Sequence, residues 1–332
     1  YFILEDGDAK ETILSMRFNA DILVRHGIQF TFRNMRHSAT QRLVNHYLMA
    51  DGSKIQDQPG YETMTYNQQF QNRDPRMAQT LMAPGYVDLN GIDEVIEDCK
   101  SYDMTGYRFI KFVSDDTHNG ATTSTTDWPV FRYPEILLTY AEAKAELGTL
   151  TPEDIALTVD VVRDRVGMPA LDMTAANNNP DPLMASYYPN VNSGANKGVI
   201  LEIRRERTIE LLQEGHRYYD LIRWKEGKTF TQPLLGLYIP SKGEYDLDGD
   251  GTPDIYLKTK GETPSTKAPL IMEIDQDIFL SEGDHGYISP HKKNPGEWNE
   301  ARDYYYPIPT DDRSLTGGAL TQNPGWNDGL DF

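Results

Sequence analysis

Apolar positions fall at helical spacing most clearly between Asp127 and Trp224. Ile136, Tyr140, Ala143 and Leu147 recur three and four apart, which predicts a helix with one apolar face and a stop at Gly148. Thr151 then offers an N-cap, Pro152 suits the first turn, and Glu153 and Asp154 oppose the helix dipole. The second helix carries Ile155, Leu157, Val159, Val161 and Val162 and ends near Pro169, so the pair forms an antiparallel hairpin. A last long helix is predicted over 198–225, bent at Gly215.

The rest of the chain is weaker in pattern. Leu14, Met16, Phe18 and Ala20 alternate, predicting a short strand with those side chains on one side. Ser38 to Gln41 reads as a capping box for a short helix that turns Leu43, Val44 and Tyr47 inward. Asp74-Pro75 starts another helix that runs to Leu81, and Tyr107 to Val113 predicts a second strand. Residues 53–73, 84–106 and 114–127 read as loops. So do 170–197, rich in asparagine and proline, and 226–303, with a short strand and a tail from Tyr304. The expectation is a mainly helical fold with long loops and a few short strands.

Composition narrows the function. The 332 residues hold 51 acids against 32 bases, a net charge of −19 that argues against nucleic acid. The single cysteine, Cys99, permits no internal disulfide. No apolar run is long enough to span a membrane as a helix. The 20 tyrosines raise the prospect of sugar stacking, because a flat apolar ring with a polar tip matches a pyranose.

One stretch has metal-ligand spacing. Asp246, Asp248, Asp250 and Asp254 occupy loop positions 1, 3, 5 and 9, Gly251 makes the turn, and Thr252 offers its carbonyl. Position 12 is Leu257 rather than glutamate, so the loop resembles helix-free calcium loops. It predicts one structural calcium; the plain alternative is an acidic turn. The row Glu206, Glu210, Glu214, with Glu202/Arg205, Arg217/Asp220 and Asp220/Arg223, reads as ion pairs that fix helix packing. Seven histidines form no ligand pair, and no nucleophile elbow, phosphate loop or dinucleotide fingerprint is present. Ligand candidates are therefore aromatic: Tyr61, Tyr66, Tyr86, Tyr102 and Trp128, each of which also suits ordinary packing.

Several runs carry a family resemblance. SATQRLVNHYLMADG, NRDPRMAQTL, GYRFIKFV, RYPEILLTYAEAKAELG, ERTIELLQEGHRYYDLIRW, and YYYPIP with QNPGW follow the order of the SusD/RagB family. The chain resembles that family's C-terminal part, as one domain over 1–332. Its helical scaffold lies around 129–225, a loop-rich region spans 226–303 and the tail is 304–332. The resemblance implies tetratricopeptide-like helix pairs and a lipid anchor on an N-terminal segment that this chain starts without. It also implies the extracellular face of the outer membrane, a SusC-like TonB-dependent transporter as partner, and non-enzymatic capture of an oligosaccharide or polysaccharide. A peptide ligand, a calcium-dependent glycoside hydrolase and a pure scaffold remain open alternatives.

Overall fold

The computed structural model describes residues 1–7, 10–90, 103–191 and 194–327. Among them the helices are α1 (Ile28–Asn34), α2 (Gln41–Val44), α3 (Tyr66–Phe70), α4 (Pro75–Thr80), α5 (Tyr133–Glu146) and α6 (Pro152–Ala156). They continue with α7 (Val159–Asp164), α8 (Met173–Asn178), α9 (Pro182–Tyr187), α10 (Lys197–Glu210), α11 (His216–Arg223) and α12 (Thr310–Leu315). The strands are β1 (Thr12–Met16), β2 (Trp128–Arg132), β3 (Tyr238–Ile239), β4 (Gly243–Tyr245), β5 (Ile255–Lys258), β6 (Leu270–Glu273) and β7 (Gly286–Tyr287). The fold is mainly helical, as the pattern predicts. None of these helices is long and apolar enough to cross a membrane.

The predicted hairpin is present, with one inversion. Leu137, Leu138, Ala141 and Ala145 face the core of α5, whereas Ile136, Tyr140 and Leu147 lie on its open side, Leu147 at 76% exposure. Both faces of α5 are apolar, so periodicity alone does not say which is covered. The returning arm breaks at Leu157-Thr158 into α6 and α7. It buries Ile155, Val159 and Val162 and leaves Leu157 and Val161 outside. Thr151 and Asp154 cap α6 reciprocally.

α10 runs through the middle of the molecule, and every residue after Lys197 is buried. One apolar cluster joins it to α5, α7, α9 and α11; a second joins its C-terminal end to α2, α3, α4 and the strands after 236. A buried helix with this many charges stands only because they are paired. Glu206 meets Arg76 at 2.9 Å and Arg163 at 2.7 Å. Glu210 meets Arg132 at 2.9 Å and Arg165 at 2.7 Å, and Glu214 meets Lys111 at 2.7 Å. The glutamate row is therefore packing, as read. Glu202–Arg205 and Asp220–Arg223 form, but Arg217 bonds Thr208 and Tyr188 Oη instead of Asp220. The predicted bend at Gly215 is a full break, with Gly215 left-handed at φ 89° ahead of α11.

Other expectations are corrected. Trp128 belongs to β2, antiparallel to β1 with Met16 opposite it, so the central helix starts only at Tyr133. Leu14 and Met16 are exposed, because this two-stranded ribbon has no layer over that side. The short helix is capped by Thr40, not Ser38. Residues 107–113 form isolated bridges at Arg108 and Phe109 rather than a strand. The stretch 53–73 contains α3, capped by Thr65 and Gln68, and 170–197 contains α8 and α9, capped by Asp172 and Asp181. Within 226–303 stand β3 to β7, with Leu257, Met272 and Leu280 in the core. The tail from Tyr304 holds α12 rather than a strand. These pieces are too short for periodicity to outweigh their Asn, Pro and Gly.

Candidate functional site

The five aromatic candidates do not converge. Tyr66 is 1% exposed, stacked between Phe70 and Tyr107, with its hydroxyl donating to Met82 O. It offers no face to a ligand. Trp128 lies flat on Phe112, at 4.6 Å between ring centroids. Tyr86 packs against the second cluster, and Tyr102 lies outside the described residues. Tyr61 alone stands in an open groove.

That groove encloses about 460 Å³. Its aromatic lining is Tyr61, Tyr187 and Tyr287, from a short 3-10 turn, the end of α9 and β7. Nothing in local sequence joins the three, which is why Tyr187 and Tyr287 escape a chain-order reading. Asp181 positions α9: it caps Leu183 and Met184 N–H groups and binds Arg205 of α10. Tyr187 is then held from α2. Asn45 Nδ2 donates to its hydroxyl at 3.1 Å, and Arg42 donates to its carbonyl at 2.6 Å. The Arg42 guanidinium also covers the Tyr187 ring at 4.4 Å. Tyr287 sits opposite Tyr238 in the β3–β7 pair and donates to Glu62 O at 2.8 Å.

The electrostatics keep these phenols neutral. Burial, then the Glu62 charge, pushes Tyr287 up to about 12. Burial and Glu62 also raise Tyr61, whose hydroxyl donates to Glu62 Oε1 at 3.2 Å. Gln41, Asn45, Lys228 and Gln232 supply further polar groups around the rings. Flat apolar faces flanked by amide, hydroxyl and cationic donors suit a polyhydroxylated ligand. Two carboxylates line the groove, Glu62 and Glu226. Burial raises Glu226, which is tied to Arg204 at 3.3 Å and to Asn190 N at 3.0 Å.

The acidic loop links β4 to β5. Carboxylate oxygens of Asp246, Asp248 and Asp254 lie within 4.8 Å of one another. Asp250 turns aside and accepts from Thr252 N at 2.6 Å. Gly251 is left-handed at φ 89°, as the turn requires. Asp246 accepts from Gly249 and Gly251 N–H groups, so the loop also closes on its own bonds. Burial, then the charges of Asp248 and Asp246, raises Asp254. Three hard oxygens beside a mutually repelling set fit a calcium ion. Asn67 of α3 holds the loop through Asp248 O at 2.7 Å.

The groove sits in a known architecture. The profile of the SusD family matches residues 33–326, and the chain belongs to that family. Solved structures agree on the fold. A SusD-like protein from Bacteroides fragilis is 22% identical, with a TM-score of 0.58 over 96% of this chain and 55% of its own. A SusD-like carbohydrate binding protein from the same organism is 20% identical, with a TM-score of 0.58 over 92% of this chain and 53% of its own. The chain thus spans about half the length of these relatives. No curated protein matches it.

Proposed function

We propose that the protein binds an oligomeric glycan in the Tyr61–Tyr187–Tyr287 groove, at the cell surface, for delivery to a TonB-dependent outer-membrane transporter. The observation that carries the reading is the groove itself: three half-open tyrosine rings from distant segments, with Arg42 and Asn45 fixed among them. Membership of the family and the carbohydrate-binding relative support it. Affinity for a long ligand would come from several stacking contacts acting together. The SusC-like transporter, lipid anchoring and non-enzymatic role rest on the resemblance.

Calorimetry against a panel of purified polysaccharides tests the reading. Tyr287→Ala and Tyr61→Ala should each weaken binding by about 1–3 kcal/mol, as truncated interface aromatics do. No binding across the panel, with tight binding of peptides instead, would replace the glycan by a peptide. New reducing ends that vanish in Glu226→Gln would make the protein a hydrolase.

Two structural roles belong to the same proposal. One calcium ion binds between Asp246, Asp248 and Asp254 and fixes the loop against α3; the Thr252 carbonyl and, once released from Thr252 N, Asp250 are the remaining sequence-derived ligands. The open face of Ile136, Tyr140, Leu147, Leu157 and Val161 receives the helical segment that the resemblance places before this chain. Its apolar character and the double length of the solved relatives support that docking.

A further inference from the structure

Beside the groove lies a second cavity of about 260 Å³, and the two share Arg42, Thr229, Gln232 and Pro233 as wall. It is smaller than a site for a drug-sized ligand, roughly 300 Å³ and upward, so it suits a single sugar unit or its substituent. Most of the wall is apolar, with Leu43, Phe109 and Leu211 prominent.

Two arginines break that apolar wall. Arg42 donates from Nη2 to Tyr187 O and Thr229 Oγ1. Arg217 donates to Tyr188 Oη at 3.3 Å and to Thr208 Oγ1. Neither forms an ion pair among the described residues; Arg42 lies instead over the rings of Tyr187 and Tyr188, and Arg217 over that of Trp224. Among the other arginines around α10, Arg76, Arg132, Arg163, Arg205 and Arg207 each hold a carboxylate, and Arg73, which has none, is satisfied by the carbonyls of Val44, Tyr47, Leu48 and Gln69. The one acid in the cavity wall, Asp220, is already taken by Arg207 at 3.0 Å and Arg223 at 2.7 Å. His46 in the same wall is neutral, and His216 faces Glu135 at 3.6 Å. Gln213 lines the cavity too, its Oε1 buried without a hydrogen-bond partner among the described residues.

In a chain of net charge −19, two guanidiniums at one cavity with no ion pair of their own are a built feature, because the acids whose charge reaches them, Glu226 for Arg42 and Asp220 for Arg217, are already held by Arg204 and Arg207. Holding them there costs desolvation, which an anion would offset. Burial, and in part the Arg217 charge, lowers Arg42 against the opposing pull of Tyr188, Tyr187 and Glu226. A guanidinium fork matches the geometry of a carboxylate or a sulfate. The unpaired Gln213 oxygen accepts from a hydroxyl, which a sugar supplies beside its acidic group.

We infer that the ligand is an acidic glycan, whose carboxylate or sulfate ester enters the cavity between Arg42 and Arg217 while the chain lies on Tyr61, Tyr187 and Tyr287. This rests on the glycan reading and names its substrate class. The rest of the surface repels polyanions, so recognition is confined to this place.

Calorimetry on the purified protein with matched pairs decides it: oligogalacturonate against its methyl ester, and dextran sulfate against dextran. One acidic member should bind at least about tenfold tighter than its neutral partner, the worth of one charge-assisted hydrogen bond. Which pair responds separates carboxylate from sulfate. Arg217→Gln should collapse that ratio, and Arg42→Lys should keep more of it than Arg42→Gln. Thr229→Glu, which puts an internal carboxylate beside Arg42, should abolish the preference even if the arginine variants fold poorly. Equal affinity within both pairs, or an unchanged ratio in Thr229→Glu and Arg217→Gln, overturns the acidic assignment and leaves the glycan reading standing. Binding of polyglutamate with no binding of any glycan overturns both.

Discussion

Tyr188 donates to His46 Nε2 across 2.8 Å, and the other ring nitrogen settles that direction. Nδ1 lies 2.7 Å from Arg42 O, which only accepts, so Nδ1 carries the hydrogen and the buried imidazole is neutral. Tyr188 in turn accepts from Arg217. One chain of bonds thus runs from the Arg42 carbonyl through His46 and Tyr188 to the Arg217 guanidinium, while the Arg42 guanidinium is placed separately by Tyr187 O and Thr229 Oγ1. Burial, then the Arg217 charge, holds His46 well below the usual 6.5.

That shift has a sign. The unfolded chain takes up a proton near the usual value of about 6.5, and the folded chain does not. His46 stability is present above that pH and is lost as pH falls below it, by about 1.4 kcal/mol per unit while only the unfolded state is protonated. His26, also lowered chiefly by burial, adds to the same slope. Urea midpoints should fall from about pH 7 to about pH 5, and His46→Gln should flatten the fall. An equal slope in that variant would count against the assignment.

At lower pH the α10 network takes over. Burial pushes Glu210 up, but the charges of Arg132, Arg165 and Arg76 outweigh it and hold the carboxyl at about 2. Glu206 is likewise lowered, because Arg76 and Arg163 outweigh its burial. Their stability is present above about pH 4.5 and is lost as pH falls toward about 2. Glu206→Ala removes the carboxylate that joins Arg76 to Arg163, leaving Asp74 and Glu210 on the first and Glu202 on the second, and should cost about 1.5–3 kcal/mol in chemical denaturation. A loss below about 1 kcal/mol would mean that water replaces the carboxylate there.

The acidic loop should respond to calcium at about 10⁻⁴–10⁻³ M, the range of extracellular modules. Added calcium should raise the melting temperature by mass action, and Asp248→Ala should abolish the rise. Because Asp254 is raised, protons compete for the site and affinity should weaken as pH falls. Identical melting curves in chelator and in millimolar calcium, with no metal found by elemental analysis, would leave the loop as an acidic turn closed by its own bonds.

The open face of the hairpin predicts association of the chain in isolation. Leu147 and Leu157, at 76% and 69% exposure, should make it self-associate in sedimentation. Leu147→Glu with Leu157→Glu should suppress this at a stability change within about 0.5 kcal/mol, since neither side chain is packed. In a longer chain carrying the helical segment proposed to dock there, the same pair should instead lower the melting point. Indifference there would place that segment elsewhere.

The helical hairpin, each of the family's signature runs and the clustering of the acidic loop are legible in the chain itself, because each is written in residues close along it. Thr151-Pro152 starts a helix wherever it sits, and the aspartates at 246, 248 and 254 cannot drift far apart. Tertiary structure decided which side of α5 is buried, since Leu138 and Tyr140 are both apolar and only the position of α10 separates them. It also decided the site. Tyr66 and Tyr61 read alike in sequence, yet α3 turns one into the core while the preceding turn leaves the other beside Tyr187 and Tyr287. Ring stacking needs surfaces brought together from three distant segments, and no local pattern records which tyrosines those segments present.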